Sequence, residues 1–129
     1  MRTIKSETER YMTALTREAA KFSCRFQFPA EFIGFLGHFP EKKILPGVCQ
    51  VQCALTLLEK GAGKDVILKE IVQAKYFSPV FPDDEIACVV SDVNDRESEM
   101  TVKAAITKGA SKVSEMKLRI VLAQSGRAS

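Results

Sequence analysis

The stretch GHFPEKKILPGVCQVQ, residues 37–52, decides the fold that this sequence predicts. It holds the only histidine of the chain, His38, in a loop rich in glycine and proline, and then enters an apolar helix that starts near Gly47. Glycine and proline restrict the path of such a loop, and an imidazole titrates near neutral pH. The stretch therefore combines a candidate base with a helix N-terminus, whose free N–H groups and dipole attract an oxyanion. The alternative is a histidine satisfied within its own loop.

The helix after this loop is predicted over about residues 47–60, with Gly61 and Gly63 as stop signals. One apolar stripe of this helix consists of Val48, Val51, Leu55 and Leu58. Most of the remaining surface is also apolar, through Cys49, Cys53, Ala54 and Leu57. A helix that is hydrophobic nearly all round must be enclosed by other structure. No apolar run in the chain approaches the roughly 18 residues of a membrane span.

Strands that could enclose the helix are predicted on both sides of it. Before it, apolar and polar side chains alternate from Lys21 until Pro29, as in a half-buried strand. After it, residues 66–77 are strand-like, and a Pro-rich turn leads to three further alternating runs around residues 86–90, 100–106 and 116–122. Turn signals at residues 94–96 and 108–110 indicate an antiparallel meander of consecutive strands. The prediction is an α+β fold with a curved antiparallel sheet wrapped around one long buried central helix.

The two ends of the chain follow no single pattern. Residues 1–20 fit a helix, with capping-box spacing over residues 6–9 and with Tyr11, Leu15 and Ala19 at helical intervals. They also fit a ragged first strand, so both alternatives stay open. Residues 124–129 are expected to form a frayed tail, and the whole chain of 129 residues is expected to be a single domain.

Composition limits the classes of function. The chain is 46% hydrophobic and 27% charged, as globular proteins are, and its net charge of +3 is too small to indicate nucleic-acid binding but favours an acidic partner slightly. Its first residues lack the hydrophobic segment of a secretory signal, so a cytoplasmic location is expected. The four cysteines fit buried, reduced thiols, and their spacing with a single histidine does not favour a zinc site.

Two segments of the chain resemble a known family. Gly-His-Phe-Pro at residues 37–40, followed by Ile-Leu-Pro-Gly-Val at residues 44–48, resembles the signature of the beta-hydroxyacyl-acyl-carrier-protein dehydratases, which have the hotdog fold. Lys-Tyr-Phe-Ser-Pro-Val-Phe-Pro-Asp-Asp at residues 75–84 is similar to that family's segment after the helix. Within that family, residues 28–30 and 35–38 resemble the branch found in aryl-polyene and related acyl-assembly clusters more than they resemble the other members. The resemblance covers about residues 21–122.

The resemblance implies roles for residues of the signature. His38 would remove the proton alpha to the carbonyl of a 3-hydroxyacyl thioester, and the backbone N–H of Gly47 would bind the developing enolate oxygen. Phe39, Pro46 and Val48 would complete the substrate-binding site. No cofactor is implied, because the acyl chain arrives on the phosphopantetheine of an acyl carrier protein or on coenzyme A. A homodimer or a dimer of dimers is implied, with the site between subunits, and hetero-pairing with an active homologue is an alternative.

The loop also carries charges that could meet a partner. Lys42 and Lys43 add two cations beside the expected substrate entrance, and an acidic carrier protein would be attracted to them. A solvated loop without a partner is the alternative.

One position departs from the family. The dehydratases have a Glu or Asp fourteen residues after the histidine, and here that position is Gln52, since 38 + 14 = 52. An amide can bind a hydroxyl or a water, but it is not a general acid. Glu41 and Lys43 also differ from the usual Gly and Pro, and Glu41 could bring a carboxyl near His38. Three functions stay open: a dehydratase with a compensating group or water, a thioesterase in which Gln52 orients a water, and an inactive acyl-binding partner subunit.

Overall fold

The computed structural model of the protein describes residues 3–36, 43–94 and 96–123. Along the chain it has α1 (Ile4–Arg10), β1 (Met12–Glu18), β2 (Lys21–Gln27), a 3-10 turn (Ile33–Phe35), α2 (Gly47–Ala62), β3 (Asp65–Tyr76), β4 (Glu85–Ser91), β5 (Glu99–Lys108) and β6 (Ser111–Ala123). The strands form one antiparallel sheet in the order β1-β2-β4-β5-β6-β3. Helix α2 packs against β1, β2, β3 and β4, so the predicted α+β arrangement of a sheet around a central helix is confirmed.

The core lies between α2 and one face of the sheet. The alternation predicted from Lys21 onward is confirmed, because Phe22, Cys24, Phe26 and Phe28 are all buried. The four cysteines are free and buried, and desolvation raises the pKa of Cys24 to about 12 and that of Cys49 to about 11. These thiols therefore stay protonated and contribute apolar packing.

The N-terminal segment combines the two alternatives that the sequence left open. Helix α1 begins after Thr3, whose hydroxyl accepts a hydrogen bond from the Ser6 N–H at 3.0 Å. The predicted capping box at residues 6–9 is therefore wrong by one turn, and the helical continuation through Leu15 is wrong because Met12–Glu18 is a strand. Ala14 has a φ of 56° and the register with β2 shifts between residues 13 and 16, which removes the alternation by which a strand is recognised.

Helix α2 extends two residues beyond its predicted end. Gly63 is the C-cap, with a φ of 67°, as a stop signal should be. Gly61, in contrast, lies inside the helix, and the prediction that it stops the helix is wrong. A Cβ on Gly61 would come within 2.7 Å of Cε2 of the buried Phe22 ring, so this glycine lets α2 lie close to β2.

The meander is confirmed for β4, β5 and β6 and is wrong for β3. Strand β3 pairs with β6, and β4 pairs with β2, so the connection from β3 to β4 crosses from one side of the sheet to the other. The Pro-rich segment after β3 is therefore not a hairpin turn. It buries Val80, whose carbonyl oxygen accepts a hydrogen bond from the N–H of Leu45 at 2.9 Å. This bond attaches the segment to the residues that lead into α2.

The two edges of the sheet differ in character. Strand β1 at one edge is irregular and polar, whereas β3 at the other edge is 12 residues long and has half-exposed apolar side chains, Ile67, Ile71, Val72 and Tyr76. Val48, in the first turn of α2, is 71% exposed, so the prediction that α2 is enclosed all round is wrong at that turn. In the part of the chain that the structure describes, no helix is long and apolar enough to cross a membrane.

Candidate functional site

The N-terminus of α2 presents unpaired backbone donors. Pro46 is the N-cap and offers no side-chain oxygen, while its carbonyl accepts hydrogen bonds from Cys49 N–H at 3.0 Å and Gln50 N–H at 3.2 Å. The N–H groups of Gly47 and Val48 donate to no acceptor within residues 3–36, 43–94 and 96–123. Two free donors at the positive end of a helix dipole form a site for an oxyanion.

A pocket of about 430 Å³ opens beside this helix end. Its walls come from the segment before α2, from the first turn of α2, and from the end of β3, through Leu45, Pro46, Gly47, Gln50, Tyr76 and Phe77. The predicted binding residues Pro46 and Gly47 are thus together in one pocket, whereas Val48 does not line it. The crossing segment after β3 closes the pocket with Pro79, which explains why the β3-to-β4 connection matters for the site.

Tyr76 is a site residue that was not predicted from the sequence. A Cβ on Gly47 would lie 2.6 Å from Oη of Tyr76 and 2.8 Å from its Cζ, so the phenol ring lies directly against the helix end. The ring is 49% exposed, because it comes from the edge strand β3. Its hydroxyl can donate or accept a hydrogen bond beside the Gly47 amide. The sequence around Tyr76, between a lysine and a phenylalanine, does not indicate that its ring lies at the N-terminus of α2. This location becomes evident only when β3 is placed next to α2.

Gln50 is a second site residue that was not predicted from the sequence. This side chain is only 4% exposed, and it lines the pocket together with Gly47 and Tyr76. The available signal was a lone glutamine between the apolar residues Cys49 and Val51 in a helix that is otherwise nearly all apolar at its start.

Gln52 lies on a different face of α2 from Gln50. Its Nε2 donates a hydrogen bond to the hydroxyl of Thr56, one turn later, at 3.0 Å. The side chain is half-buried and does not line the pocket beside Gly47. Its surroundings are mixed, because Thr56 is buried whereas Val48, one turn earlier in α2, is exposed.

Several predicted site residues lie outside the described residues. His38, Phe39, Glu41 and Lys42 belong to residues 37–42, which the structure does not describe. Lys43 is described and is half-buried, with Nζ 3.5 Å from the carbonyl oxygen of Ala30.

A second concavity, of about 450 Å³, lies on the outer face of the sheet. Its rim carries Lys75, Lys103 and Lys117 around a floor that includes Val89. It shares no lining residue with the pocket beside Gly47, and Lys103 is 4.0 Å from a carboxylate oxygen of Asp92. The pocket beside Gly47 is the better candidate, because free N–H donors and buried polar groups converge there.

Comparisons with known proteins show which sequences and folds this chain resembles. A 3-hydroxyacyl-acyl-carrier-protein dehydratase FabZ of Bartonella bacilliformis is 31% identical over 99 residues, which cover 70% of this chain and 64% of that relative. The chain thus spans less than two thirds of the length of the curated relative.

Solved structures show the same fold at low sequence identity. A chain of the dehydratase heterocomplex ApeI:P from Xenorhabdus doucetiae superimposes with a TM-score of 0.69 at 15% identity, covering 85% of this chain and 96% of that one. A hypothetical thioesterase with coenzyme A from Streptococcus pneumoniae has a TM-score of 0.64 at 10% identity, covering 86% and 85%. These likenesses establish the hotdog fold.

The family itself is established by a match over most of the chain. The profile of the ApeI-like dehydratases matches residues 14–117, from β1 through the helix and the sheet to β6. This span contains the loop with His38, the N-terminus of α2 and the segment after β3. The chain therefore belongs to the ApeI-like dehydratase family.

Proposed function

We propose that the protein is a dehydratase-like lyase that acts on 3-hydroxyacyl thioesters carried by phosphopantetheine. The observation that carries this proposal is the pair of N–H groups at Gly47 and Val48, which have no acceptor among the described residues and begin a helix beside a pocket, in a chain of the ApeI-like dehydratase family. Such donors stabilise an oxyanion where it forms. Curated relatives that share about 30% identity are named as 3-hydroxyacyl-acyl-carrier-protein dehydratases.

The proposed reaction is an elimination of water. His38 takes the proton from the carbon alpha to the thioester carbonyl, and the Gly47 N–H binds the enolate oxygen that forms. The electron pair then forms the carbon–carbon double bond as the bond to the 3-hydroxyl breaks. The hydroxyl leaves as water once it receives a proton, so the products are a 2-enoyl thioester and water.

Protonation of the leaving hydroxyl is the step for which this chain lacks the usual residue. Gln52 cannot supply a proton, and the loss of a general acid costs on the order of 10²–10⁴ in rate if nothing replaces it. Two groups can compensate: the imidazolium of His38 that the first step creates, and the hydroxyl of Tyr76, which lies against Gly47. If His38 gives the proton, the base is restored directly. If Tyr76 gives it, the phenolate that remains takes up a proton and the His38 imidazolium releases one, through water, before the next turnover.

Turnover assays with matched thioesters test the proposal. A 3-hydroxyacyl-pantetheine thioester should yield the 2-enoyl product, detected by its ultraviolet absorbance, and His38→Ala should abolish this product. Release of free thiol from the saturated acyl thioester would instead identify a thioesterase, the class named for a structural neighbour. Binding of both thioesters without any product would identify an acyl-binding subunit.

The acyl-binding subunit is the second candidate function. It is favoured by the state of Gln52, whose amide is already bonded to Thr56 within α2 and carries no acid. The Xenorhabdus doucetiae relative is named as a dehydratase heterocomplex, so a member of this family can pair with a different chain. In this candidate the protein would pair with an active homologue that supplies the missing carboxyl.

Both candidates place a second subunit against β3. This edge strand leaves its backbone groups unpaired on one side and carries half-exposed apolar side chains, and Val48 of α2 is exposed as well. A long apolar edge is a surface for pairing with another strand. We propose a homodimer, or a dimer of dimers, that continues the sheet across β3 and brings His38 of one subunit near Gln52 of the other.

Placing a charge on the β3 edge should dissociate the assembly. Val72 is 47% exposed and is bulged out of the pairing with β6, so Val72→Glu would set two carboxylates against each other or against apolar surface in a dimer. We expect at least about a 100-fold weaker dimer, or ~2.7 kcal/mol. Sedimentation velocity at micromolar concentration measures this. Thr13→Glu on the opposite edge strand is the matched control and should stay dimeric. A wild-type monomer would contradict the shared site.

Reversing the loop charges should weaken carrier binding. Lys42→Glu together with Lys43→Glu replaces attraction to an acidic carrier protein by repulsion, and we expect about tenfold weaker binding at low ionic strength. The Nζ of Lys43 is already within 3.5 Å of Ala30 O, so Lys42 should account for more of the loss. Titration calorimetry at two salt concentrations measures the effect. Lys21→Glu is the control, and binding that is insensitive to salt would refute the electrostatic attraction.

A further inference from the structure

The side chain of Gln50 leaves one buried polar atom without a partner. Its Oε1 is buried and accepts no hydrogen bond from the described residues, although Gln50 belongs to the first turn of α2. Buried polar atoms in proteins are nearly always satisfied, and each exception requires an explanation. Gln50 lines the pocket beside Gly47, so a small rotation of its side chain would let a molecule bound there reach this covered oxygen.

The orientation of the amide follows from its surroundings. Nε2 faces the carbonyl oxygen of Leu45 at 3.5 Å, a long but favourable donor–acceptor arrangement. A reversed amide would set Oε1 against that carbonyl, and two acceptors repel each other. Leu45 is itself held by its bond to Val80, so the carbonyl that orients Gln50 is fixed in place. The atom left for a ligand is therefore an acceptor, and it requires a donor.

The pocket thus offers complementary polar groups on one apolar wall. The free N–H of Gly47 is a donor and suits a carbonyl oxygen, which a thioester has. Oε1 of Gln50 is an acceptor and suits an O–H or N–H group, which a saturated acyl chain lacks. Leu45, Pro46 and Phe77 supply apolar surface between them. An acyl thioester that also carries a donor would satisfy both kinds of group at once.

We propose that Gln50 is a positioning residue that accepts a hydrogen bond from a donor on the acyl-pantetheine ligand. This inference rests on the proposed function, because it assumes that the pocket takes an acyl thioester. The donor is either the 3-hydroxyl of the acyl chain or an amide N–H of the pantetheine arm. In the first case Gln50 selects 3-hydroxyacyl over saturated ligands, and in the second it binds both alike.

The test compares two ligands that differ by one hydroxyl. Equilibrium binding of 3-hydroxyoctanoyl-pantetheine and octanoyl-pantetheine is measured with full-length protein that carries His38→Ala, so that the ligands are not consumed. Gln50→Met keeps the length of the side chain and removes the acceptor. We expect a fivefold to tenfold loss of affinity, since one neutral hydrogen bond is removed. Gln27→Met, an exposed glutamine on β2 bonded to Asp83 O, is the matched control and should bind as before.

Stability separates a positioning role from a structural one. Gln50→Met removes an unsatisfied buried acceptor together with the long bond from Nε2 to Leu45 O, so its thermal unfolding midpoint should stay close to that of its parent while affinity falls. Gln50→Leu serves as a second apolar variant with the same expectation. If affinity and unfolding midpoint fall together in both variants, the role is structural and the inference is overturned.

The remaining outcomes are equally decisive. A loss of affinity for the hydroxyacyl ligand alone assigns the donor to the 3-hydroxyl, and an equal loss for both ligands assigns it to the pantetheine arm. Unchanged binding of both ligands by a folded Gln50→Met variant overturns the role of Gln50 but leaves the proposed function intact. Failure of the parent protein to bind either ligand overturns both.

Discussion

Gln52→Glu should raise the rate of dehydration at least tenfold. The enolate can already form, because His38 is the proposed base and the Gly47 N–H is free to bind the oxyanion. The missing part is a proton for the leaving hydroxyl, and a carboxyl at position 52 supplies it. A tenfold gain lowers the barrier by about 1.4 kcal/mol, and a full general acid could contribute on the order of 10²–10⁴.

The local structure sets the condition for this gain. A general acid needs a pKa near neutrality, and desolvation is what raises the pKa of a carboxyl. In the single chain Gln52 is half-buried, because Val48 one turn before it is exposed and Leu55 is half-exposed, whereas Thr56, to which it is bonded, is buried. A second subunit covering this face would complete the desolvation. The gain should therefore depend on the dimer, and Val72→Glu should remove it.

Two controls isolate the carboxyl. Gln52→Met breaks the bond to Thr56 without adding an acid, and we expect no gain from it. His38→Ala combined with Gln52→Glu should lose the gain, because no enolate forms without the base. Initial rates of 2-enoyl product formation measure all three proteins. A folded, dimeric Gln52→Glu variant without any gain would show that the pocket no longer fits a 3-hydroxyacyl group, which favours the acyl-binding or thioesterase alternative.

The sequence predicted the parts of this protein that depend on local periodicity. Phe22, Cys24 and Phe26 alternate with polar residues and form a strand, and the N-terminus of α2 lies at Gly47 as its Pro-Gly pair indicates. Periodicity requires regular backbone geometry. Where that geometry is interrupted, as at Ala14 with its positive φ in β1, the pattern is lost and the segment could not be assigned.

The order of the strands could not be predicted in the same way. Alternation identifies a strand but does not identify its neighbours, and the short turns between β4, β5 and β6 were a guide only for those strands. The Pro-rich segment after β3 has the composition of a turn, yet it crosses the sheet and buries Val80 against the entrance to α2. That crossing places β3 at the edge and brings Tyr76 to Gly47.

In the candidate site, too, some residues could be predicted from local sequence and others only from the tertiary structure. Pro46 and Gly47 were predicted because a helix start is visible in the sequence, and both line the pocket. Gln52 was predicted as a site residue because it lies fourteen residues after His38. Gln50 lines the described pocket, but its distance from His38 in the sequence matches no known catalytic position. Which of two glutamines in one helix turn faces a pocket depends on where the sheet edge lies, and only the tertiary structure supplies this.

Gly47→Ala should reduce turnover by about 10²–10³ without a large loss of stability. The new Cβ would lie 2.6 Å from Tyr76 Oη, so either the ring or the helix end must shift. Tyr76 is half-exposed at the end of an edge strand, and its ring can move at little cost to the fold. The movement displaces the Tyr76 hydroxyl and takes up the space that a thioester carbonyl needs to reach the Gly47 N–H. The loss of one oxyanion donor reduces turnover by about this factor.

A second glycine of the same helix provides the control for Gly47→Ala. In Gly61→Ala the new Cβ meets the ring of Phe22, which is buried and cannot move freely, so overpacking of about 1–3 kcal/mol should exceed the ~1 kcal/mol gain in helix propensity. Urea denaturation should therefore show a loss of stability for Gly61→Ala and little for Gly47→Ala, while initial rates show the reverse. Tyr76→Ala in the Gly47→Ala background removes the clash. If turnover recovers in this double variant, the space beside Gly47 limits the reaction, and if Gly47→Ala alone turns over normally, the oxyanion is not bound at this helix end.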